Sequence, residues 1–187
     1  MNGVASQAMR QAGNSPDYRL NFGVEIPRLK GIADDICAEF LKDDTFGEKA
    51  EQLANALWKE QVRECRIMAT MVYPPKRMDE QMAQTWVEQI RGVEMARYAA
   101  MYLFSKITHS SEMALRWMAN DNEMLQITGF YTMIHLIRER QLNQRAIDEV
   151  RDHATVAVES ESLNLKTAAV KMLDALDDNV NQLSERQ

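Results

Sequence analysis

Few side chains in this chain are suited to nucleophilic or metal chemistry: Cys37, Cys65, His109, His135 and His153. Each cysteine stands alone inside a helical pattern, with no CxxC spacing and no histidine placed to act as its base. The histidines lie near no cysteine or carboxylate at ligand spacing, so no metal site is expected. No glycine loop that could cradle a phosphate occurs, nor any HExxH, GxSxG or kinase signature, and no cofactor is expected. The economical reading of the cysteines is a reduced, buried pair in the cytoplasm.

The basic residues are the next candidates. Net charge is −6, which argues against indiscriminate binding to nucleic acid. The charge is patchy, however. Between residues 59 and 77 five basic residues (Lys59, Arg63, Arg66, Lys76 and Arg77) stand against two acidic ones. The preceding stretch, 34–58, has two basic residues against seven acidic. One basic patch on an acidic protein is enough to hold a phosphate backbone locally, and it serves equally well as a solvated helix face.

The elements that must position these residues are helices. Seven glycines and four prolines leave little turn chemistry for a sheet, and thirteen methionines suit helix–helix cores better than strands. The apolar spacing predicts helices over about 2–12, from Pro27, from Thr45 to Trp58, and over about 59–73, 78–89, 92–107, 111–119, 122–139, 143–157 and 162–181. Thr45-Phe46-Gly47-Glu48 reads as a capping box, and Pro27 suits a first-turn position. No segment has the apolar run of a membrane span, and the N-terminus has no apolar signal core, so no membrane partner is expected.

Three tryptophans mark a weak repeat: Trp58, Trp86 and Trp117 each close a helix before a short polar step. Helix pairs of that length bury their faces only by stacking on neighbours. The expected fold is therefore all-α, one HEAT-like repeat domain over 1–187 with about five antiparallel helix pairs, residues 1–23 forming an N-terminal helix and irregular loop. The second helices should line one concave face. The tryptophans read first as core pegs and second as platforms for stacked bases.

Three stretches add a resemblance. Asn21-Phe22-Gly23-Val24-Glu25-Ile26-Pro27-Arg28-Leu29-Lys30-Gly31-Ile32-Ala33 closely resembles the opening signature of the AlkD-like DNA alkylation repair family. Leu57-Trp58 with Arg63-Glu64-Cys65-Arg66 and Met68-Ala69 is similar to that family's second segment, with Arg63 where histidine is usual. Trp117-Met118-Ala119 with Gly129-Phe130 is similar to a later one. The likeness runs from about residue 18 to 140 in the family's order. It implies a HEAT-like solenoid that holds duplex DNA on its concave face and releases positively charged N-alkylated purines.

Such cleavage builds positive charge on the sugar, which an anionic carboxylate beside aromatic rings stabilises. The family supplies that carboxylate as the Asp of a Trp-x-x-x-Asp step. The resemblance places Val93 at the tryptophan and Arg97 at the aspartate, and puts Ile127 where the family has an arginine. On this reading no residue is catalytic, and the chain is a non-catalytic scaffold binding DNA or a partner. Its DNA-binding candidates are Arg63, Arg66, Lys76, Arg77 and Arg97. Arg97 has two readings, a side chain snorkelling from an apolar stripe or a phosphate contact. Two rivals stand beside this: an active glycosylase using a displaced carboxylate, Glu88 or Glu94, and a protein-interaction solenoid unrelated to DNA.

Overall fold

The computed structural model describes residues 18–40, 46–139 and 141–184. The helix expected over about 2–12 and the capping residue Thr45 lie outside them. The helices are α1 (Ile26–Phe40), α2 (Phe46–Lys59), α3 (Arg63–Val72), α4 (Glu80–Glu88), α5 (Val93–Tyr102), α6 (Ser110–Met118), α7 (Glu123–Arg138), α8 (Gln144–Ala157) and α9 (Leu163–Ser184). Among the described residues no strand forms, only a single parallel bridge between Leu20 and Val62.

Short polar residues start several of these helices where the sequence places them. The Asp79 carboxylate accepts the Met82 N–H at 2.7 Å, Asn122 accepts from Met124 and Leu125, and Asn143 accepts from Ala146. Each side chain satisfies donors that a first helical turn leaves free.

Two boundaries differ from expectation. The helix expected over about 59–73 starts only at Arg63. Val62 is extended, and the Arg63 N–H donates to the Leu20 carbonyl at 3.1 Å, so the incoming chain replaces a first helical turn. The helix expected over about 92–107 ends at Tyr102. Leu103 leaves the helical region (φ −130°, ψ −64°) so that Leu103 and Phe104 both enter the core, and Phe104–Lys106 forms a 3₁₀ turn.

Helices α2 and α3, α6 and α7, and α8 and α9 pack as pairs, while α5 packs chiefly on its neighbours α3 and α7. Helices α1, α3, α5, α7 and α9 follow one another in a row, each touching the next. Most of α7 is buried, 11 of its 16 residues, a helix apolar on nearly every side because helices cover it on nearly every side. Gly129 lets α6 come close: a Cβ there would sit 2.7 Å from the Ala114 carbonyl oxygen and 2.7 Å from Met118 Cγ.

The tryptophans stitch the units together. Trp58 and Trp86 stack with ring centroids 4.1 Å apart and planes 4° from parallel. The Trp58 and Trp117 indole N–H groups donate to the Gln89 and Gln84 side chains, each at 2.8 Å. At 1–3% exposure all three are core pegs, and none is open to a base. The cysteines depart from expectation: both are free, but half-buried rather than buried.

Candidate nucleic-acid interface

The two segments that carry the strongest family likeness meet in space. In the loop before α1, Gly23 takes a left-handed conformation (φ 70°) that favours glycine, and its N–H donates to Asn21 Oδ1 at 2.8 Å. That turn aims the Phe22 and Val24 N–H groups at the Glu64 carboxylate, at 3.1 and 3.2 Å. Glu64 stands in the first turn of α3, where a helix favours negative charge. The loop is thus held by backbone donors on a buried carboxylate.

Arg63 continues the clamp. Its Nε and Nη2 donate to the two oxygens of Glu94 on α5, at 2.8 and 2.7 Å. Nη1 donates to the Val24 carbonyl at 3.2 Å and to Glu64 at 3.3 Å. The Tyr18 hydroxyl beside this cluster is pushed up to about 12, by burial first and then by the charge of Glu94. Placing Arg63 among surface phosphate contacts needs correction. The side chain is 1% exposed and its guanidinium donors are taken by carboxylates and a carbonyl, as a buried charge requires. Glu94 has both oxygens bound to Arg63. Glu88 is exposed and accepts from Gln84 at 2.7 Å.

The other expected cations fall into three places. Arg66 is half-buried, its guanidinium donating to the Glu60 and Gln89 carbonyls and lying 5.2 Å above the Trp58 ring. Lys76 and Arg77 occupy a 3₁₀ turn past the other end of α3, where Arg77 pairs with Glu51 at 2.5 Å and Lys76 is exposed. Ten residues of helix separate the two ends, roughly 15 Å. The run 59–77 is therefore not one patch.

Arg97 stands apart from these, on a helix of the central row. It is exposed on α5, and among the described residues it makes no ion pair. Its guanidinium lies 5.9 Å from the centroid of the Tyr131 ring on α7, and Lys171 of α9 reaches the same ring from 6.0 Å. One buried tyrosine thus carries two exposed cations, drawn from the next helices of the row on either side. Burial raises the Tyr131 pKa, and the charge of Arg97 opposes that rise. On α5 itself Tyr98 and Tyr102 stack at 6.0 Å, and Met101 is 41% exposed. Arg97 therefore fits both of its readings: its head reaches solvent over an aromatic ring.

Sequence reasoning missed Tyr131 and Lys171. The available signal was a lysine among small residues, Ala168, Ala169 and Ala175, on a helix otherwise acidic from Asp174 onward. Val93 is half-buried against the core. Ile127 is fully buried in α7 and belongs to the same apolar core as Phe130, Ile134 and Ile137. An arginine at Ile127 would enter the core rather than a groove, so that position carries no contact surface in this chain. Among the described residues no cluster of His, Cys, Asp or Glu is arranged to hold a metal.

A family model described as DNA alkylation repair enzyme matches residues 4–180. No curated protein matches the sequence. A solved structure described as a new family of proteins related to the HEAT-like repeat DNA glycosylases, with affinity for branched DNA structures, aligns with TM-score 0.76. The alignment covers 98% of this chain and 74% of the other at 16% identity, a likeness of fold. Among the described residues no helix is long and apolar enough to cross a membrane. The row of paired helices is a HEAT-like repeat fold, and with 4–180 matched the chain belongs to the DNA alkylation repair enzyme family.

Proposed function

We propose that this chain is a non-catalytic member of its family that binds the phosphate backbone of DNA, in the cytoplasm, through the face carrying Arg97, Tyr131 and Lys171. The observation that carries the reading is the pair of exposed cations on one tyrosine, contributed by α5 and α9 across α7. Two exposed cationic heads suit phosphate contacts, and the neutral ring attracts both without neutralising either. Branched DNA, for which the structural relative is described as having affinity, is the first substrate to try.

Absence of base excision rests on charge. Arg97 stands where the family likeness puts a carboxylate, and a guanidinium stays protonated at every working pH. It opposes the positive character that glycosidic cleavage builds on the sugar. Glu94, the nearest replacement, has both oxygens on Arg63.

The test is a titration of labelled four-way junction and plain duplex at low salt, run with the native chain and with Arg97→Glu/Lys171→Glu. The native chain should bind and the double variant should lose about tenfold or more. Equal binding by both would end the assignment of this face. Release of N3- or N7-methylated purines above background by the native chain, lost in Glu94→Gln, would establish the glycosylase rival instead.

A further inference from the structure

A groove of about 720 Å³, lined by none of Arg97, Tyr131 and Lys171, lies between the α6–α7 connection, the side of α8 and the start of α9. Its floor is apolar, made by Met118, Phe130 and Leu165, and Val156 forms an open edge at 76% exposure. Carboxylates ring it: Asp121, Glu149, Asp152 and Glu159. Among the described residues none of the four makes an ion pair or a side-chain hydrogen bond. From 144 to 163 the chain sets two arginines against five carboxylates. One of those arginines, Arg151, is turned to Asp177 at 3.6 Å.

We infer that this groove docks a basic amphipathic segment of a partner protein, with an apolar anchor on the Phe130 floor and Lys or Arg side chains on the acidic rim. The chemistry of the rim excludes nucleic acid, whose phosphates four unpaired carboxylates would repel. Apolar floor and charged rim together select a peptide over a simple cation, because a cation alone would leave Val156 and the floor in water. The size suits one turn of chain with two or three anchoring side chains, within the range of about 300–1,000 Å³ typical of binding cavities. A net charge of −6 disfavours a second copy of this chain as the occupant.

The probe is a synthetic peptide of about 14 residues with Leu and Lys at helical spacing. Two controls accompany it, one with Glu for every Lys and one with Ser for every Leu. Fluorescence anisotropy should show saturable binding of the Leu/Lys peptide, with both controls about tenfold weaker or more. Glu149→Gln/Asp152→Asn/Glu159→Gln and, separately, Val156→Asp should each weaken the Leu/Lys peptide by a similar factor. These positions are exposed, so unchanged circular dichroism and melting temperature will certify the fold. Binding of four-way junction DNA should be the same in native chain and rim variant, which keeps this inference separable from the DNA reading. Equal binding by the rim variant, equal binding of the acidic control, or no binding of the Leu/Lys peptide overturns the proposal. Self-association of the native chain that is lost in Val156→Asp overturns it in favour of a second copy.

Discussion

At the scale of single residues, Arg63 shows how one buried guanidinium organises an entire cluster. The position reads as surface because it lies in a basic run, yet its guanidinium bridges α3 to α5 from a site 1% exposed. Nothing in the run 59–77 distinguishes Arg63 from Arg66; the distinction comes from Glu94, 31 residues away. Removing the guanidinium leaves Glu64 and Glu94 facing each other without a cation. Arg63→Ala should therefore cost about 3–5 kcal/mol, a drop in melting temperature of roughly 10 °C, measured by thermal unfolding. A loss under about 1 kcal/mol would show that the clamp is ornamental.

His135 makes a pH-dependent prediction at the same scale. Burial lowers its pKa, the charges of Arg138 and Lys106 lower it further, and only Glu139 opposes them. The folded chain thus binds this proton more weakly than the unfolded chain, whose histidine titrates near 6.5. The sign follows: stability is full above about 6.5 and declines as pH falls below it, because only unfolding releases the histidine to take a proton. Glu80, held below its ordinary 4.5 by Arg116, acts in the same direction but at lower pH. Chemical denaturation between pH 7 and 5 should show the decline, and His135→Gln should flatten it. An unchanged slope in the variant would assign the decline to other groups.

At the scale of elements, helix existence was legible from apolar spacing, and the structure adds side-chain caps at Asn122 and Asn143 where two of those helices begin. Helix ends were less so. Leu103 and Phe104 continue the apolar pattern of α5, yet the chain bends there to bury both, and periodicity alone does not distinguish a buried turn from a longer helix. Gly129 was visible only as part of a likeness, and the structure supplies its reason. Helix α6 passes so close that an added methyl would meet main-chain oxygen and nitrogen at 2.7 and 3.0 Å, neither of which yields as a flexible side-chain tip would. Gly129→Ala gains helix propensity worth about 1 kcal/mol, but the clash should outweigh it for a net loss of about 1–3 kcal/mol. Denaturant unfolding with an unchanged m-value would report it, and a stabilised variant would show that α6 moves aside freely. Ile127 makes the complementary point: it is fully buried in a helix covered on nearly every side, so an apolar side chain there serves packing.

At the scale of the whole molecule, the stacked fold was readable from the tryptophan repeat and the family likeness, whereas the distribution of charge over its faces was not. A charge count along the chain pools residues that the fold sends to different places. Arg63 goes inside, Arg66 lies on Trp58, Arg77 pairs with Glu51, and Lys171, which belongs to an acidic segment, joins Arg97 over Tyr131. This predicts which cations neutralise phosphate. Each phosphate contact contributes about 0.9 to the slope of log affinity against log salt on duplex DNA. Between about 50 and about 200 mM salt, Arg97→Ala/Lys171→Ala should lower that slope by about 2. Lys76→Ala/Arg77→Ala should lower it by no more than about 1, because the Arg77 guanidinium already answers a carboxylate and only Lys76 is exposed without one. The reverse ranking would move the DNA track to the far end of α3 and leave the Tyr131 cations as stabilisers of the α5–α7–α9 row.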